Sequence, residues 1–140
     1  QMLQALTAVA NDGVMLKPYV VSSVVSSTGE ILEENKKTAV GKIASVDTID
    51  KIKELMSSVV VEDSTMGTGA AYYMEGYDLI GKTGTAQIAS SSGGYQTGNY
   101  NNIRSFAGAF PYENPEYVIY ISVKKLQGIG YLIQHSIFIG

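Results

Sequence analysis

The chain contains no cysteine. That excludes disulfide scaffolds, thiolate catalysis and zinc sites built on cysteine spacing. A single histidine, His135, excludes multi-histidine metal centres and the HExxH helix. The acidic residues are scattered, so neither a metal nor another cofactor is expected. Basic residues never run beyond the pairs Lys36-Lys37 and Lys124-Lys125, and the formal charge is -3. Nucleic acid is therefore not expected as a partner. Long apolar runs are missing as well: the strongest, Tyr117 to Val123, falls far short of the roughly twenty residues of a membrane-spanning helix.

What is present is a chain of 140 residues, 45% of them hydrophobic, enough for one compact domain or a piece of one. It opens at Gln1, without a signal peptide, inside a helical pattern, so a piece of a larger domain is expected. Met2, Leu6 and Val9 recur at helical spacing, and Asn11-Asp12-Gly13 supplies a left-handed stop. The β-branched run Tyr19 to Ser26, the turn Ser27-Thr28-Gly29 and the returning Glu30-Ile31-Leu32 predict a hairpin.

From Ser45 to Val61, the residues Ile49, Ile52, Met56 and Val59 fall at helical intervals, with Ser45 or Asp47 as N-cap and Lys51, Lys53 and Glu54 on the opposite face. A Gly/Ala/Tyr loop follows, then strands from Leu79 to about Ile88, around Phe106 to Phe110 and from Tyr117 to Lys125. The cluster Ser90 to Gly94 between the first two reads as a flexible loop, or else as one flanking a cleft. The expected class is α+β: an antiparallel meander with helices packed on it.

Gly81-Lys82-Thr83-Gly84-Thr85-Ala86-Gln87 gathers a cation, two hydroxyls and a residue without a side chain into one strand. Gly76 to Thr83 fits the phosphate-loop pattern GxxxxGK[ST] by letter. The physics fails, because a phosphate loop needs small residues between its glycines and a helix starting at the lysine. Nucleotide binding is set aside. The same lysine opens a K-T-G element, Lys82-Thr83-Gly84. A lysine and an interior glycine in one strand suit a substrate-facing edge, where a ligand meets side chains of both faces together with free amides.

The surroundings carry the K-T-G reading further. Gln1 to Gly13, Leu16-Lys17-Pro18-Tyr19-Val20-Val21, Met66-Gly67-Thr68-Gly69, Gly81 to Gln87, Phe106-Ala107-Gly108 and Pro111 to Pro115 resemble the C-terminal part of the transpeptidase domain of class B penicillin-binding proteins. Within that family the chain resembles the penicillin-binding protein 2X-like division transpeptidases of Gram-positive bacteria. The resemblance implies that residues 1–140 are the C-terminal portion of a single domain of the β-lactamase/transpeptidase fold, incomplete as it stands.

It implies roles for named residues too. Lys82 stabilises the terminal carboxylate of the substrate and tunes proton transfer, while the hydroxyls of Thr83 and Thr85 bond that carboxylate. The Thr85 N–H is one oxyanion donor, Gly84 leaves room for the peptide, and Gln87 lies in the same substrate-binding strand. The implied partners are a peptidoglycan stem peptide ending in D-Ala-D-Ala, β-lactam antibiotics and the N-terminal half of the same domain. The implied location of the parent protein is the extracytoplasmic face of the cell membrane.

The family's Ser-x-x-Lys nucleophile and Ser-x-Asn element are not found. Ser122-Val123-Lys124-Lys125 has the spacing but lies in the clearest strand, where positions i and i+3 point to opposite faces. Thr97-Gly98-Asn99, Tyr100-Asn101-Asn102 and Tyr112-Glu113-Asn114 read as polar loop tips. His135 lacks a nucleophile elbow to serve. Gly128 to Gly140 keeps helical spacing at Leu132, Ser136 and Ile139, for a short closing helix. The resulting expectation is part of a serine D,D-transpeptidase, inactive without its nucleophile. A serine β-lactamase or β-lactam sensor fragment, or a catalytically empty structural piece, are the alternatives.

Overall fold

The computed structural model describes residues 1–98, 100–125 and 137–139. Helix α1 (Met2–Ala10) ends where Asp12 (φ 49) and Gly13 (φ 85) turn the chain back. A side chain at Gly13 would run into the Ala44 backbone, so this turn needs glycine both for its dihedral and for its space. Strand β1 (Val14–Leu16) then pairs antiparallel with β4 (Ala39–Lys42), a pairing the sequence reading missed. Between them lies the expected hairpin, β2 (Ser23–Val25) against β3 (Ile31–Glu34), closed by the Ser26 hydroxyl. The short ribbon leaves Val24, Val25, Ile31 and Leu32 exposed.

Helix α2 (Val46–Ser57) is capped by Ser45, whose side chain accepts from the Thr48 N–H at 3.2 Å. It stops four residues before Val61. The Ser57 and Ser58 hydroxyls donate to Glu54 O and Leu55 O at 2.7 and 2.8 Å, and Val59 and Val60 bond back only three residues. Serine competition for helix carbonyls, followed by a β-branched run, explains the early end. Lys53 also corrects the expectation of a solvent face: it is only 8% exposed. Its Nζ donates to Glu113 O at 3.2 Å and lies 3.5 Å from Asp50 Oδ1 and 6.0 Å from the centre of the Tyr112 ring. The stem is buried while the amine finds polar partners and an aromatic face.

The main sheet is antiparallel in the order β5 (Ile80–Gln87), β6 (Asn102–Phe110), β7 (Tyr117–Lys124), β8 (Ile137–Ile139). Ile80, Ala109 and Val118 stand side by side in register, and Leu6 of α1 and Met56 of α2 close over them as the core. Both helices thus cover one face, as the α+β class requires.

The expected closing helix is corrected in part. Ile139 lies in a strand opposite Tyr117, consistent with the β preference of Ile137, Phe138 and Ile139. Leu132, His135 and Ser136 lie outside the described residues. No helix among the described residues is long and apolar enough to cross a membrane.

Candidate active site

Strand β5 is an edge of the sheet, with β6 its one strand neighbour among the described residues. In an antiparallel pair, alternate residues turn both N–H and C=O towards the partner, and the others turn both away. The Ile80 and Ala107 carbonyls lie against the glycines of the facing strand, and Lys82 is opposite Ala107. Ile80, Lys82 and Gly84 therefore face β6 with their backbones, while the amides and carbonyls of Thr83 and Thr85 turn to the open edge. A strand running through Lys82 also removes the helix start that a phosphate loop needs.

Side chains sort by the same alternation. Lys82 and Gly84 share the face of Ile80, and Thr83, Thr85 and Gln87 share the other with Phe106. Lys82 is exposed, and its Nζ curls over the edge to donate to Thr83 O at 2.7 Å. Cation and hydroxyls leave on opposite faces, and the ammonium reaches back over the rim to the Thr83 carbonyl, a geometry that an edge strand permits and a central one forbids. Gly84 is opposite Ser105, whose Oγ would lie 2.6 Å from any Cβ built there. Its empty position is thus used inside the sheet. Thr85 and Gln87 are exposed, Gln87 at the strand end opposite Asn102.

The Thr83 face is covered by a loop. Buried Phe106 lies across Gly81 and Gly108, where side chains would collide with its ring, and Tyr72 stacks on it with centroids 4.0 Å apart and planes at 21°. Tyr72 closes a 3₁₀ turn, Ala70–Tyr72, just after Gly67-Thr68-Gly69. There the Gly69 N–H donates to Val59 O at 2.8 Å, and neither Gly67 nor Gly69 has room for a side chain against that carbonyl. Thr68 is consequently held over β5, its Oγ1 2.8 Å from Thr83 Oγ1.

Upstream, Asp63 Oδ1 accepts from Thr65 Oγ1 and the Thr65 N–H at 2.7 and 2.8 Å. These bonds, the hydroxyl first and the amide second, hold the carboxyl below its ordinary range. Sequence reasoning named Thr68 only as part of a resembling stretch. The glycines on either side were the available signal of a close approach.

Other sequence candidates fall elsewhere. Ser122 is on β7 opposite Ser105, with Lys125 beyond the strand end. Ser90 to Gly94 forms a tight turn, Ser90 N–H donating to Gly94 O at 3.0 Å, above the bridge Ala89–Tyr95 at the end of β5. Asn101 and Asn114 lie in the connections flanking β6, Asn102 is corrected from a loop tip to the first residue of β6, and Asn99 is outside the described residues.

An open strand edge bearing hydroxyls and an ammonium group has the hydrogen-bonding groups and charge that could pair with an extended anionic ligand. Residues 1–138 match the penicillin binding protein transpeptidase domain, and the chain belongs to that family. It is 35% identical over 133 residues to the penicillin-binding protein PbpB of Mycolicibacterium smegmatis, covering 91% of this chain and 20% of that protein. Penicillin binding protein 2X of Streptococcus thermophilus superposes with a TM-score of 0.80 at 29% identity, over 92% of this chain and 20% of that one. Penicillin binding protein 3 of Mycobacterium tuberculosis, complexed with ampicillin, gives 0.77 at 31% identity, over 88% of this chain and 27% of that one. The chain thus spans about a fifth to a quarter of the length of these relatives.

Proposed function

We propose that the chain forms the substrate-docking and oxyanion side of a serine D,D-transpeptidase site, as the C-terminal portion of one domain whose reacting serine lies upstream. The observation that carries this reading is the open edge of β5, where the Thr83 and Thr85 amides face outward beside the Lys82 ammonium and the Thr83 hydroxyl.

A stem peptide ending in D-Ala-D-Ala lies along that edge. The hydroxyls of Thr83 and Thr85 donate to its terminal carboxylate, and Lys82 adds a cation at the rim. As the upstream serine attacks the penultimate carbonyl, the developing oxyanion accepts from the Thr85 N–H. D-Ala leaves, an acyl-enzyme remains, and the amine of a neighbouring stem peptide resolves it. β-Lactams, bound by the relative complexed with ampicillin, acylate the same serine. The closeness to the 2X structure supports a division enzyme of that kind, acting on the extracytoplasmic face of the membrane.

Fluorescent penicillin tests this arrangement. The 140-residue chain alone stays unlabelled in denaturing gels, and the longer protein containing it is labelled at a serine N-terminal to Gln1. Covalent labelling of the isolated chain would put the nucleophile within these residues and overturn the division of labour.

A further inference from the structure

We propose that Thr68 is a positioning residue that aims the Thr83 hydroxyl at the ligand carboxylate. This rests on the reading of Thr83 as a carboxylate donor. A threonine hydroxyl on an exposed strand edge turns among its rotamers, and in only some of them does its proton point along the edge. Thr68 Oγ1 lies 2.8 Å from Thr83 Oγ1, close enough for a hydrogen bond in either direction. When Thr83 donates to a carboxylate, its oxygen keeps lone pairs free to accept from Thr68, and this acceptance fixes the rotamer and strengthens the outgoing bond.

The arrangement is built into the fold. Thr68 sits between two glycines pressed on the Val59 carbonyl, and four residues on the chain is anchored by the Tyr72–Phe106 stack. The loop thus enters from α2 and docks on the Thr83 face of the sheet. Its hydroxyl meets Thr83 without burying either group, for Thr68 is exposed and Thr83 half-buried. Ligand access and hydroxyl orientation are compatible.

The experiment uses the full-length protein and compares acylation by benzylpenicillin with acylation by its methyl ester, which has no carboxylate charge. Thr68→Val keeps the shape and removes the hydroxyl. The acid-to-ester rate ratio is expected to fall roughly tenfold, the size of one hydrogen bond to a charged group. Thr68→Ser is expected to restore the ratio, and Thr68→Val combined with Thr83→Val to match Thr83→Val alone.

Equal losses for acid and ester in Thr68→Val would make Thr68 a loop support only and overturn the proposal. So would an unchanged ratio in Thr68→Val while Thr83→Val lowers it. An unchanged ratio in Thr83→Val would instead remove the carboxylate role of Thr83 itself, and the proposal with it.

Discussion

At the residue scale, side-chain size and hydrogen-bonding capacity determine where the site can exist. Gly81 and Gly108 form the floor on which Phe106 lies, so a ring and two absent side chains together create the platform for Tyr72. Lys53 performs a different service, holding the turn between β6 and β7 against α2 through Glu113 O. Lys53→Met keeps the stem and deletes the ammonium group, leaving that carbonyl without its donor. Stability is expected to drop by about 1–2 kcal/mol in urea denaturation, and an unshifted midpoint would show that the contact contributes nothing. Its burial was not legible in the sequence, because a lysine at helical spacing beside Lys51 and Glu54 reads as solvent-facing. What hides it is a turn sixty residues further on, which no local pattern encodes.

At the element scale, the connection from α2 to β5 carries more of the site than its composition suggests. Asp63 organises its start by accepting from Thr65. Since its carboxyl is held below the ordinary value of 3.8 in the folded chain, this contribution is fully present above that value and is lost as the pH falls through the lower folded value. Hydrogen exchange at the Thr65 amide is expected to lose protection only at pH values below 3.8, relative to the rest of the chain. In Asp63→Ala that amide is unprotected throughout, and a pH-independent wild type would refute the assignment. The glycines here are legible in the sequence, but the contact they permit is not. Helices and hairpin were legible from spacing and caps, whereas the end of α2 was not, because Ser57 and Ser58 terminate it by hydroxyl bonds that periodicity does not register.

At the scale of the whole molecule, the order of strands turns a short motif into a candidate site. The three-stranded meander could be read from Ile80, Phe106 to Phe110 and Tyr117 to Val123, and the edge position of β5 was inferred from the awkwardness of Lys82 and Gly84 in any interior strand. The structure has that edge and adds what the motif alone lacked, a loop over one face and two helices over the other. The β1–β4 pairing escaped notice because its strands are short and separated by the hairpin, so that only the closed tertiary structure brings Val14 opposite Lys42.

An edge suited to receiving a peptide is also suited to receiving the wrong one. The outward amides of β5 form a template on which another copy of the chain could add a strand and begin to aggregate. Lys82, exposed and curling over that edge, makes an identical strand laid alongside repel it. The same charge is expected to act as a gatekeeper against such pairing. Lys82→Met is expected to raise the mean mass measured by light scattering as concentration increases, an effect independent of any chemistry at the site. A variant that remained as dispersed as the parent chain would show that the edge is protected by other means.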